Sequence, residues 1–133
     1  MATSPIRKNA AFSPRIAPVL QTLEALVGQA STPNWDGYGA QPVRSGAIEE
    51  AARVLEILPP EIPAPEPSVE PDGSVGLEWH ARRCWTYVLT LSGRGEIEYA
   101  GLFGENETHG KERFRDIFPP LVYEHLRRLA SPE

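Results

Sequence analysis

The stretch PDGSVGLEWHARRCWTYVLTLSGRGEIEY, residues 71–99, decides the fold. Pro71-Asp72-Gly73 is a turn, and after it Val75, Leu77 and Trp79 alternate with Gly76, Glu78 and His80, the two-residue period of a strand with one buried face. Trp85, Tyr87, Leu89 and Leu91 alternate with Cys84, Thr86, Val88 and Thr90 in the next strand, and Ile97 and Tyr99 with Glu96 and Glu98 in the one after. Residues directly opposite each other in an antiparallel pair share a face, so the apolar sets must meet. Pairing Leu77 with Tyr87 through an odd-length connection around residues 81–83 meets that condition. A two-residue turn at Arg82-Arg83 would instead set Leu77 against Val88. Leu89 opposite Tyr99 suits a Gly93-Arg94-Gly95 loop with Gly95 in the left-handed region. Strands are therefore predicted over 74–80, 84–91 and 96–100, with Ser68, Val69 and Glu70 as a short edge strand that Pro67 and Pro71 keep out of the centre.

Upstream lie prolines 59, 60, 63, 65, 67 and 71, which make 59–71 a stiff extended crossover. Before it, Ile48, Ala51, Ala52, Leu55 and Leu58 form one stripe of a helix over 46–58, capped by Ser45, with Glu49, Glu50, Arg53 and Glu56 facing water. Ile16, Val19, Leu20, Leu23, Leu26 and Val27 mark another helix over 17–28. Pro18 falls in its first turn, and Gly28 stands where a C-terminus would put a glycine. Residues 31–42 carry turn formers at nearly every other position. Residues 1–14, with Arg7 and Lys8 and few large apolar groups, read as a flexible tail. Downstream, 102–113 is polar and glycine-broken and reads as a loop over one sheet edge. Phe114 and Ile117 cover the core ahead of a helix over 119–130, whose stripe is Leu121, Val122, Leu126 and Leu129. The whole is one α+β domain over 15–133: an antiparallel meander of three to four strands packed by two N-terminal helices and one C-terminal helix in two layers.

At 133 residues the chain has material for one core. A net charge of −5 argues against direct nucleic-acid binding, which needs a basic surplus. The single cysteine, Cys84, excludes internal disulfides and points to a reducing compartment. No apolar run approaches the roughly 18 residues of a membrane helix, and no secretory signal is legible, so a cytoplasmic protein is expected.

The most distinctive string is Asn34-Trp35-Asp36-Gly37-Tyr38-Gly39-Ala40. It resembles a motif of small bacterial and phage proteins in which a proline, a helix ending in Leu-Pro, a proline-rich run and a segment like Pro71-Asp-Gly-Ser-Val-Gly-Leu-Glu-Trp79 follow in that order. The similarity spans roughly 34–99. It implies a shared fold and a bacterial or phage origin, and it assigns no site.

Read physically, Asp36-Gly37 is a tight turn in which the aspartate bonds amides two residues on, and Trp35 and Tyr38 are large enough to plug the end of the sheet. Read functionally, Trp35 and Tyr38 form a platform with Asn34 and Asp36 as polar contacts. Glu78, His80 and Cys84 fall on one sheet face, but a structural zinc site wants four ligands and a nucleophilic cysteine wants an oxyanion hole, so no metal, cofactor or catalytic set is expected. Small size and acidic charge point to a non-enzymatic interaction module of the immunity-protein, antitoxin or phage-inhibitor kind. Such a module would engage a protein partner through Glu49, Glu50, Glu56, Glu96 and Glu98. The alternative is a ligand-binding domain or small enzyme built around the Trp35–Tyr38 loop.

Overall fold

A computed structural model describes residues 13–131. The expected tail therefore lies, apart from residues 13 and 14, outside the described residues. Three helices, α1 (Ala17–Gln29), α2 (Ser45–Glu56) and α3 (Pro120–Ala130), pack on a sheet of five strands: β1 (Glu66–Val69), β2 (Val75–Arg82), β3 (Trp85–Leu91), β4 (Glu96–Phe103) and β5 (Asn106–Arg113). Strand order follows chain order and every pair is antiparallel, so the sheet is a meander.

The alternation in residues 71–99, continued along β4 to Phe103, places Val75, Leu77, Trp79, Tyr87, Leu89, Leu91, Ile97 and Phe103 on the face that meets the helices, in one cluster with Leu23, Val54, Leu55, Val122 and Leu126. The opposite face, with Glu78, His80, Glu96, Glu98, Glu107, His109, Lys111 and Arg113, is open to solvent. Two layers result, and the fold class stands as α+β.

Several local expectations are corrected. Residues 102–113 are not a loop. β4 runs to Phe103, and β5 pairs along its whole length, from Glu96↔Arg113 to Phe103↔Asn106, so the described residues form five strands rather than three to four. β1 is the expected edge strand, displaced to Glu66–Val69 within the proline-rich crossover, with Pro67 tolerated because one side of the strand is unpaired. Leu77 meets Leu89 rather than Tyr87, and Trp79 meets Tyr87. A bulge between His80 and Arg82 absorbs the odd residue, which keeps apolar facing apolar. Cys84 is in the turn rather than in the strand, exposed and left-handed at φ 63°. Leu89↔Tyr99 and a left-handed Gly95 (φ 79°) are as predicted.

Among the helices, α2 begins at Ser45 and ends at Glu56, and Ser45 provides no side-chain cap, the N-cap being Arg44. Arg44 has another role. Its guanidinium donates to Ser92 O (2.9 Å) and Asp72 O (2.7 Å), joining the β3–β4 and β1–β2 turns to the helix start. Gly28 lies inside α1, whose C-cap is Ala30. Ile117 (71% exposed) and Leu121 (37% exposed) are outside the core, whereas Phe114 packs against it.

Candidate functional site

The loop from Asn34 to Gln41 is built from its own polar groups. Asn34 takes a left-handed conformation (φ 62°), its N–H donates to Ala40 O at 2.7 Å, and its Oδ1 accepts from Gly39 N–H at 2.7 Å. Asp36 Oδ1 accepts from the amides of Tyr38 (2.8 Å) and Ala40 (3.0 Å), the aspartate turn anticipated from the sequence. The Trp35 indole N–H donates to Gln41 O at 2.7 Å, and Gln41 N–H donates to Pro71 O at 2.8 Å, fastening the loop to the β1–β2 turn. Gly37 (φ 79°) and Gly39 (φ 84°) supply the remaining left-handed positions, with open space where a side chain would stand.

Neither aromatic plugs the sheet. Trp35 is only half-buried and lies outside the core cluster, and Tyr38 stands 93% exposed. The lid reading fails because the glycine-flanked turn projects Tyr38 outward while the loop's hydrogen bonds close without its phenol.

The five acids separate. Glu96 and Glu98 lie on the open sheet face, Glu98 at 3.8 Å from Lys111. Glu49 is exposed on α2, and Glu56 pairs with Arg53 at 3.2 Å. Glu50 is not a free surface charge. Its two carboxylate oxygens accept from Gly93 N–H and Gly95 N–H, both at 2.7 Å, tying α2 to the β3–β4 turn.

A buried polar contact between β3 and α3 also escaped sequence reasoning. Tyr87, fully buried on β3, shares a hydrogen bond of 2.7 Å between its hydroxyl and His125 Nδ1 of α3, and Tyr99 stacks on Tyr87 at 6.3 Å with the rings 13° apart. Burial, reinforced by the neighbouring Arg128, lowers the His125 pKa below its usual 6.5, with Glu124 and Glu112 opposing. Burial likewise pushes the Tyr87 phenol well up, with Tyr99 and Glu112 adding to the effect. With the imidazole shifted down and the phenol shifted up, the contact joins two neutral groups near pH 7. The unfolded chain protonates His125 first. Stability from this contact is thus fully present above about pH 6.5 and is lost as pH falls through the depressed folded value. Urea midpoints at pH 7.5 and pH 5 are expected to differ more in the wild type than in His125→Asn; identical pH slopes would contradict the assignment.

Among the described residues, no group of three or more His, Cys, Asp or Glu side chains is placed to hold a metal ion, and Glu78, His80 and Cys84 do not converge. No helix among the described residues is long and apolar enough to cross a membrane. No family model matches the chain, and no curated protein or solved structure does.

Proposed function

We propose that this chain is a non-enzymatic protein-interaction module, of the immunity-protein, antitoxin or inhibitor kind, whose principal anchor is Tyr38. One observation carries the reading: Tyr38 is 93% exposed at the tip of a loop whose hydrogen bonds leave its phenol unused. A large aromatic held out on a stiff turn loses little conformational freedom on binding and brings apolar area with a polar tip, as interface anchors do. Glu49, Glu96 and Glu98 serve as steering charges and Glu50 does not, because its carboxylate is committed to the β3–β4 turn.

The test compares capture of partners from a bacterial lysate by wild type and Tyr38→Ala. A stoichiometric partner held by the wild type is expected to bind the variant at least tenfold more weakly, about 1.4 kcal/mol. The melting temperature should stay unchanged, since exposed substitutions seldom move stability by more than about 0.5 kcal/mol. Equal affinity would remove Tyr38 as the anchor. Capture of a small molecule in place of a protein would favour the ligand-binding alternative.

A further inference from the structure

β5 is one edge of the sheet, and among the described residues its outer side is unpaired. Along an antiparallel strand the N–H and C=O groups of successive residues point to opposite edges, so one bond fixes the direction of all the others. Gly104 N–H donates to Cys84 O at 2.8 Å, which turns the even-numbered residues of β4 toward β3 and the odd-numbered ones toward β5. Phe114 N–H donates to Gly95 O at 2.8 Å, in agreement. In the β4–β5 register, Asn106, Thr108, Gly110 and Glu112 are therefore bonded to β4, and Glu107, His109, Lys111 and Arg113 direct their N–H and C=O groups to the free edge. The side chains of these outward-bonding residues stand exposed on the open face.

A free edge is a template for another strand. The opposite edge is blunted: Glu70 N–H donates to Ser74 O at 2.9 Å, so Pro67 of β1 faces outward, and it has no N–H to offer. The charges of β5, by contrast, suit a copy of itself. Glu107 and Arg113 lie near opposite ends of the strand on one face, and among the described residues neither has an ion-pair partner. Two β5 strands set antiparallel about Gly110 place Glu107 of each copy opposite Arg113 of the other. His109 then meets Lys111, whose charge Glu98 already offsets at 3.8 Å. Every outward-bonding residue meets another in this register. A slip of one residue sets outward groups against residues already bonded to β4, centring on Lys111 opposes two ammonium groups, and centring on His109 leaves Arg113 without a strand partner.

We propose that β5 is a self-association edge, through which two copies of this chain pair antiparallel about a two-fold axis at Gly110 into one continuous sheet. The blunted β1 edge stops the assembly at the dimer. The Tyr38 loop is fastened to the turn after β1, at the opposite edge, so this proposal and the interaction reading stand or fall separately. One strand per copy makes a small interface, and a Kd of roughly 10 µM to 1 mM is expected.

Sedimentation equilibrium of the full chain provides the test. The wild type should show a monomer–dimer equilibrium that weakens as salt is raised. Glu107→Arg and Arg113→Glu should each raise Kd at least tenfold without lowering the melting temperature. An equimolar mixture of the two variants should dimerise again, because one then carries two cations where the other carries two anions. His109→Pro, which removes an outward N–H and no bond to β4, should raise Kd at least tenfold as well. A wild type that stays monomeric up to about 1 mM overturns the proposal. So does a dimer that neither charge reversal weakens, or a mixture that associates no better than its two components.

Discussion

Gly93→Ala is expected to cost about 3 kcal/mol, several times the loss from the same change two residues on. Gly93 sits at φ +84°, and a Cβ there would lie 2.8 Å from Ala47 N, 2.9 Å from Gly46 C and 3.2 Å from Gly46 Cα, all backbone atoms at the start of α2. The left-handed conformation costs an L-residue about 1–2 kcal/mol, and forcing packed backbone apart adds about 1–3 kcal/mol. Gly95 has nearly the same torsion (φ +79°) but nothing within 4 Å of its would-be Cβ. Gly95→Ala should therefore show only the torsional part, about 1 kcal/mol. Urea unfolding at unchanged slope separates the two. Equal losses would mean that the β3–β4 turn does not press against α2.

Glu50→Ala is expected to lower stability by about 2–3 kcal/mol, in the range for hydrogen bonds to a charged acceptor, since one carboxylate holds two amides of the same turn. The contacts are partly solvated, which puts the value toward the lower end. Glu49→Ala, one residue away and exposed, is the matched control and should move stability by no more than about 0.5 kcal/mol. Similar losses at both positions would return Glu50 to the class of solvated surface acids. Circular dichroism of both variants under the same denaturant series is sufficient.

These two residues show where the sequence stops being readable. β2, β3 and the first half of β4 were legible because one face of each is buried against helices, so apolar residues recur with period two. β5 was not. Its residues, Asn-Glu-Thr-His-Gly-Lys-Glu-Arg, have one side chain set in solvent and the other only partly covered, so no alternation marks it. Gly110 within it looks like a breaker, yet it lies where a Cβ would strike the Tyr99 ring, so a missing side chain is what lets the strand pair there. Register failed by two residues at Leu77, because a bulge shifts pairing without leaving a composition signal.

The candidate site divides the same way. The Asp36 turn was predictable because its bonds run to amides two and four residues away, as local side-chain to backbone contacts do. Whether Tyr38 points in or out depends on how the loop meets the β1–β2 turn, through Gln41 and Pro71, and local pattern says nothing of that. Glu50 and Gly93 are 43 residues apart, and Tyr87 and His125 are 38 apart. Periodicity placed Glu50 on the outer side of its helix, and only the tertiary arrangement brings the turn to it.

The separation of Glu50 from its turn also sets an order of events during vectorial synthesis. Every strand pairs with its neighbour in the chain, so each hairpin needs only its own two strands to be made before it can form. The helical layer must wait. α2 leaves the ribosome with Ala47, Ile48, Ala51, Ala52, Val54 and Leu55 uncovered, and the amides that receive Glu50 are made 43 and 45 residues later. At about 5–20 residues per second that is an interval of a few seconds. Nascent chains arrested before Gly93 should thus present a sticky helix to chaperones, and chains long enough to expose the completed β3–β4 turn should not.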